Sequence, residues 1–160
     1  MGKQTKAKIG NGISNAEYAA RRERVFKALG GAVGIVFAGE GAPPLLGKWR
    51  ADCSFIYLTG IDNEAGACIV FDPTAESPKR RITLLLRPLD PEAERWDGYR
   101  ESIGSALREK TGFATVMRAK MLPRLLTAAA RRAKRLACLH PFAVYPAPVS
   151  PDLAIFRPTS

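Results

Sequence analysis

The sequence predicts an α/β fold in a single domain, and three observations carry that prediction. At 160 residues the chain has the size of one domain, large enough to bury roughly two-thirds of the surface its unfolded form exposes. Hydrophobic residues make up 46% and charged residues 25%, a globular balance that argues against disorder away from the ends. Stretches of helical periodicity alternate with short apolar runs, and one run, ITLLLR from Ile82 to Arg87, is apolar nearly throughout. A strand buried on both faces is a central strand covered by helices.

The elements follow in order. Residues 1–13 read as a disordered basic tail; no apolar h-region follows the basic flank, so a secretion signal is not read there. Ser14 and Glu17 fit the capping box, in which the Ser side chain accepts from a backbone N–H three residues on and the Glu reaches back. A helix is expected from there: Tyr18, Val25, Phe26 and Leu29 recur near a 3.6 period, and Gly30 and Gly31 stop it. Ala32 to Ala38 (AVGIVFA) is a β-branched run of strand length. The loop from Gly39 to Lys48 is glycine-rich but fails as a phosphate cradle. A P-loop ending at Gly47 and Lys48 needs Gly where Ala42 stands and Ser or Thr where Trp49 stands, and a GxGxxG meets Pro44.

Phe55 to Thr59, Ala67 to Phe71 (ACIVF) and Ile82 to Arg87 read as three strands separated by Gly, Pro, Asn and Asp. Asp62, Asn63 and Glu64 form a polar turn between the first two, since an EF-hand would need its Gly sixth and its Glu twelfth. Asp90 and Pro91 open a helical turn as cap and first residue, carrying Glu92, Glu94 and Trp96. Ile103 to Lys110 is helical and closed by Gly112, and Phe113 to Met117 returns as a strand. Leu122, Leu125, Leu126, Ala129, Ala133 and Leu136 mark the apolar side of another helix with Pro123 in its first turn, and Arg135 to Leu139 is a final strand. The domain is taken as 14–145, and 146–160 as a Pro-rich extended linker.

Composition excludes several functions. No run approaches the roughly 18 apolar residues of a membrane span, and a cytoplasmic location is the default expectation. Three cysteines, Cys53, Cys68 and Cys138, are far apart, with a single His, His140, to join them. Neither a disulfide framework nor a zinc site follows, and the thiols read as buried core. His140 has no Ser or Cys motif with it and reads as structural. The carboxylates Asp90, Glu92, Glu94 and Asp97 suit a helix start as well as a site, and no set of them forms a metal cage. The formal net charge is +10, which raises an anionic partner. Arg21, Arg22, Arg24 and Lys27 lie in one helical segment, and Arg124, Arg131, Arg132, Lys134 and Arg135 in or after another, so a solvated face is the plain reading. An acidic partner surface is another. Nucleic acid is unlikely as a partner, because Phe55, Tyr57 and Phe71 sit in runs free of Arg and Lys, unlike a single-strand-binding sheet.

Two blocks remain. One is WRADCSFIYLTGIDNE, Trp49 to Glu64; the other is RPLDPEAERWDGYR, Arg87 to Arg100. The first resembles a stretch like YRxNSDFWYLTGFNEPEA, with Trp49 and Arg50 at the Tyr-Arg position and Phe55, Tyr57, Leu58, Thr59, Gly60 and Glu64 in place. The second resembles RDPEREIWDGYR through Arg87, Asp90, Pro91, Glu92, Glu94, Trp96, Gly98 and Arg100. In this order they resemble the amino-terminal domain of the Xaa-Pro aminopeptidase (aminopeptidase P), prolidase and creatinase family. Ser54 departs from the family's Asp, and Ala65 from its Pro.

The resemblance implies a mixed β-sheet flanked by helices, with ribonuclease H-like topology. It also implies that catalysis belongs to a pita-bread domain holding two manganese or similar divalent ions, whose ligands cannot be placed in this chain; no cofactor and no catalytic residue are expected here. Its implied partners are that catalytic domain, toward which the Pro-rich segment would lead, and further copies in a homo-oligomer. Trp96 is the expected pocket wall or interface anchor, with core as the plain alternative, and Arg50 and Arg100 are weaker candidates for a carboxylate or a partner chain. A basic nucleic-acid-binding module and a standalone regulatory or dimerisation relative of the peptidase are the alternative functions.

Overall fold

A computed structural model describes residues 12–40, 49–90, 94–95 and 101–139. The described chain forms five strands and four α-helices: α1 (Asn15–Ala28), β1 (Val33–Phe37), α2 (Cys53–Thr59), β2 (Cys68–Phe71), β3 (Ile82–Leu86), α3 (Ser105–Thr111), β4 (Thr115–Arg118), α4 (Leu122–Arg132) and β5 (Leu136–Cys138). Short 3-10 turns at Pro78–Arg80 and Ala119–Met121 lead into β3 and α4. Most of the basic tail, the Gly39–Lys48 loop beyond Glu40, and His140 with the Pro-rich stretch lie outside the described residues.

The strands make one mixed sheet in the order β4-β3-β2-β1-β5. β1, β2 and β3 are antiparallel neighbours, with Val36 opposite Ile69 and Ile69 opposite Leu84, while β4 and β5 join the two sides in parallel. Alternation of side chains divides the core into two layers. Val36, Ile69, Phe71, Leu84, Leu86 and Val116 face α1, α2 and α3, meeting Phe26, Phe55, Leu58 and Leu107. Val33, Ile35, Cys68, Val70 and Leu85 face α4 through Ala129, Leu125 and Leu126. The apolar ITLLLR run therefore has the two-sided burial expected of it.

The Phe55–Thr59 strand expected from sequence is a helix instead. Asp52 caps it by accepting from the Ser54 N–H at 2.8 Å, and Gly60, at φ +73°, ends it in the left-handed region. Phe55, Leu58 and Thr59 are buried while Tyr57 turns outward and Ile56 is half-buried at the core's edge, which is the i, i+3, i+4 face of a helix rather than alternation. The Asp62–Glu64 turn thus joins a helix to β2. At the far end α4 stops at Arg132, and Leu136, expected on its apolar side, opens β5 with 57% of its surface exposed.

Two more expectations change. Only Cys68 is a buried thiol; Cys53 and Cys138 are exposed. Burial pushes the Cys68 thiol up to about 12, because the low-polarity interior disfavours the thiolate. Arg22, expected on a solvated helix face, is among the most buried charges, at 3% exposure.

Candidate functional site

The first block, Trp49 to Glu64, is built as a junction. After β1, the Trp49 indole N–H donates to the Glu40 carbonyl at 3.0 Å, Asp52 N–H to Ala38 O at 2.8 Å, and Ala51 N–H to Asp62 O at 2.9 Å. Those bonds fix the approach to α2. Arg50 sits within this fixed segment and is exposed, so its guanidinium is presented at the surface. Thr59 closes the helix from inside, its hydroxyl donating to Phe55 O at 2.8 Å while accepting from Ile61 N–H at 3.0 Å. Gly60 is required twice over: its φ is positive, and a Cβ there would stand 2.6 Å from Tyr18 Cζ.

Arg22 holds the junction to the rest of the molecule. Its Nη1 donates to Leu58 O at 2.9 Å in the last turn of α2, and its Nη2 to Gly112 O at 2.7 Å just past α3. Both are carbonyls at helix C-termini, where the helix dipole favours a cation. The guanidinium lies 3.9 Å above the Phe113 ring. Burial lowers its pKa to about 10, still well above neutrality. Two turns earlier on the same face of α1, Asn15 Nδ2 donates to Glu109 O at 2.9 Å and Lys110 O at 3.3 Å, serving α3 as well. Tyr18, Arg22, Val25 and Leu29 are spaced four, three and four apart, so Arg22 occupies the apolar stripe and its burial was readable from position alone.

The second block is held at both ends by one side chain. Arg118, at the end of β4, donates from Nη1 to Arg87 O at 3.2 Å and from Nη2 to Glu101 O at 2.6 Å. Glu101 also pairs with Lys110 of α3. Within the block, Glu94 N–H donates to Asp90 O at 2.8 Å, the helical turn expected after Asp90. Trp96 and Arg100, the other candidate residues, lie outside the described residues, as do Pro91, Glu92 and Asp97. No sequence pattern singled out Arg118; its role comes from the parallel pairing of β3 with β4, which sets Leu86 opposite it.

Among the described residues no three His, Cys, Asp or Glu side chains come together to hold a metal ion. Tyr57, 52% exposed, is the prominent aromatic of the junction, and the Arg21 guanidinium lies 4.3 Å from its ring centroid.

The model of the family described as "Aminopeptidase P, N-terminal domain" matches residues 18–138. The chain belongs to that family. Its fold is similar to that of the Pseudomonas aeruginosa aminopeptidase PepP, with TM-score 0.65 and 22% identity over 89% of this chain and 31% of that one. A Bacillus anthracis protein described as an aminopeptidase P gives TM-score 0.67 at 21% identity, covering 89% of this chain and 35% of the other. Zinc-substituted Escherichia coli aminopeptidase P in complex with product gives 0.56 at 27% identity, covering 73% and 27%. Among curated proteins none matches the chain. The chain thus spans about a third of the length of the solved aminopeptidases P it resembles. In this aminopeptidase P N-terminal domain the first family block forms a fixed junction at α2, and Arg118 ties Arg87, where the second begins, to Glu101, just after it ends.

Proposed function

We propose that this domain serves a manganese-dependent Xaa-Pro aminopeptidase or prolidase-like metallopeptidase as its noncatalytic part, supporting oligomerisation and shaping the substrate pocket. The match to the N-terminal-domain model over residues 18–138 carries this reading. In it, a pita-bread catalytic domain holds two divalent ions that activate water for attack on the bond before proline. The domain supplies surface: Trp96 and Arg100 of the second block are the proposed contributors to the pocket or to a neighbouring subunit, and Arg50 is the exposed cation of the α2 junction. An indole walls a prolyl ring or anchors an interface, and a guanidinium pairs a substrate carboxylate. The cytoplasm is the proposed location, and no helix among the described residues is long and apolar enough to cross a membrane.

The test joins this chain to its catalytic domain and compares Trp96→Ala with the parent enzyme. The reading expects a raised KM for an Xaa-Pro peptide or a smaller assembly in sedimentation, with metal content unchanged. Unaltered kinetics and unaltered assembly would remove Trp96 from the pocket and from the interface.

A further inference from the structure

Between α1 and the segment leading into β3 lies a cleft of about 330 Å³, away from both family blocks. We infer that it binds a small oxyanion carried on an apolar group, such as an aryl phosphate or carboxylate. Its walls are of two kinds. Lys79 and Arg81 supply two exposed cations against one carboxylate, Glu23, with the buried Arg22 and Phe113 at the floor, while Phe26, Pro78 and Ile82 supply apolar surface. Neither Lys79 nor Arg81 joins an ion pair among the described residues, and both are exposed. Their charges are therefore open to a ligand.

The cationic wall is held in place before any ligand arrives. Lys79 O accepts from the Thr115 hydroxyl of β4 at 2.6 Å, and Arg81 O accepts from Asp72 N–H at 2.8 Å. Opposite, Arg22 is locked by its two carbonyl bonds, which engage two of the five N–H donors of a guanidinium. Anchored backbone lowers the ordering cost of binding, and charge-assisted hydrogen bonds to an oxyanion are the strong class. The volume suits a compact molecule, with the anion at Lys79 and Arg81 and the apolar body against Phe26, Pro78 and Ile82. Glu23 disfavours ligands that spread negative charge toward α1. The inference is independent of the peptidase reading, since neither Trp96 nor a catalytic domain enters it.

The experiment titrates the chain with phenyl phosphate, benzoate, inorganic phosphate and benzyl alcohol while following backbone amide resonances. Saturable shifts at Lys79 to Ile82 and at Phe113 and Ala114 are expected with phenyl phosphate or benzoate, the tighter of the two identifying the anion. Inorganic phosphate should bind more weakly and benzyl alcohol not at all. Lys79→Ala and Arg81→Ala should each weaken binding roughly tenfold, whereas Arg124→Ala and Arg131→Ala on α4 should leave it unchanged. Absence of saturable binding overturns the inference. So does equal weakening by the α4 variants, which would mark attraction to the net charge of +10 rather than a site.

Discussion

Arg22 is a charge placed where a hydrophobe would normally stand, and its worth lies in what it satisfies. Replacing it with Met would leave the Leu58 and Gly112 carbonyls without their donor. A cost of about 2–5 kcal/mol is expected in urea unfolding, because buried acceptors lose their partner together with the stacking on Phe113. Arg22→Lys should restore little, since one ammonium cannot span both carbonyls in a planar fork. Cys68 gives a pH signature of opposite kind. Its folded pKa, about 12, is raised from an ordinary 9.0, so the unfolded chain loses the proton first and stability falls as pH rises above about 9. The slope from one such proton is at most about 1.4 kcal/mol per pH unit. From about pH 10 upward, release from Arg22 acts in the other direction, because its folded pKa is the lowered one. The fall should therefore show between pH 8.5 and about 10 and vanish in Cys68→Ala. In the native state a thiol reagent should label Cys53 and Cys138 but reach Cys68 only on unfolding.

At the level of elements, α2 is where local rules are most exposed to test. Gly60→Ala forces a Cβ into the Tyr18 ring at a positive φ and should cost about 2–4 kcal/mol. Asp52→Ala, losing the cap of α2, should cost at least about 1 kcal/mol. Arg118→Ala should speed hydrogen exchange at Arg87 to Asp90 and at Glu101 to Ile103 while leaving β1 and β2 protected, since it frees the Arg87 and Glu101 carbonyls together. Uniform acceleration across the sheet would deny the clamp.

The same element shows how far the sequence could be read. The apolar runs AVGIVFA, ACIVF and ITLLLR became β1, β2 and β3 because β-branched, two-sided hydrophobic runs have few other homes. FIYLT was misread because four apolar residues and a threonine carry no clear period, and the deciding signals lay at its edges: Asp52 as cap and Gly60 as stop. Arg22 was hidden by its charge although its spacing matched the stripe. Arg118 was unreadable, because its partners at Arg87 and Glu101 meet only through the sheet register.

At the largest scale, the two-layer core explains how the described residues form an α/β domain, and the family match places it as an aminopeptidase P N-terminal domain. Two of its cations are accounted for within the fold: Arg132 of α4 pairs with Asp72 at 3.2 Å, and Arg22 is absorbed into the interior. The measurement that tests the account most directly is hydrolysis of an Xaa-Pro peptide by the purified chain supplied with manganese. The account predicts release no faster than in buffer. Turnover that depends on the metal, stops with a chelator and stays with the protein through purification would contradict it.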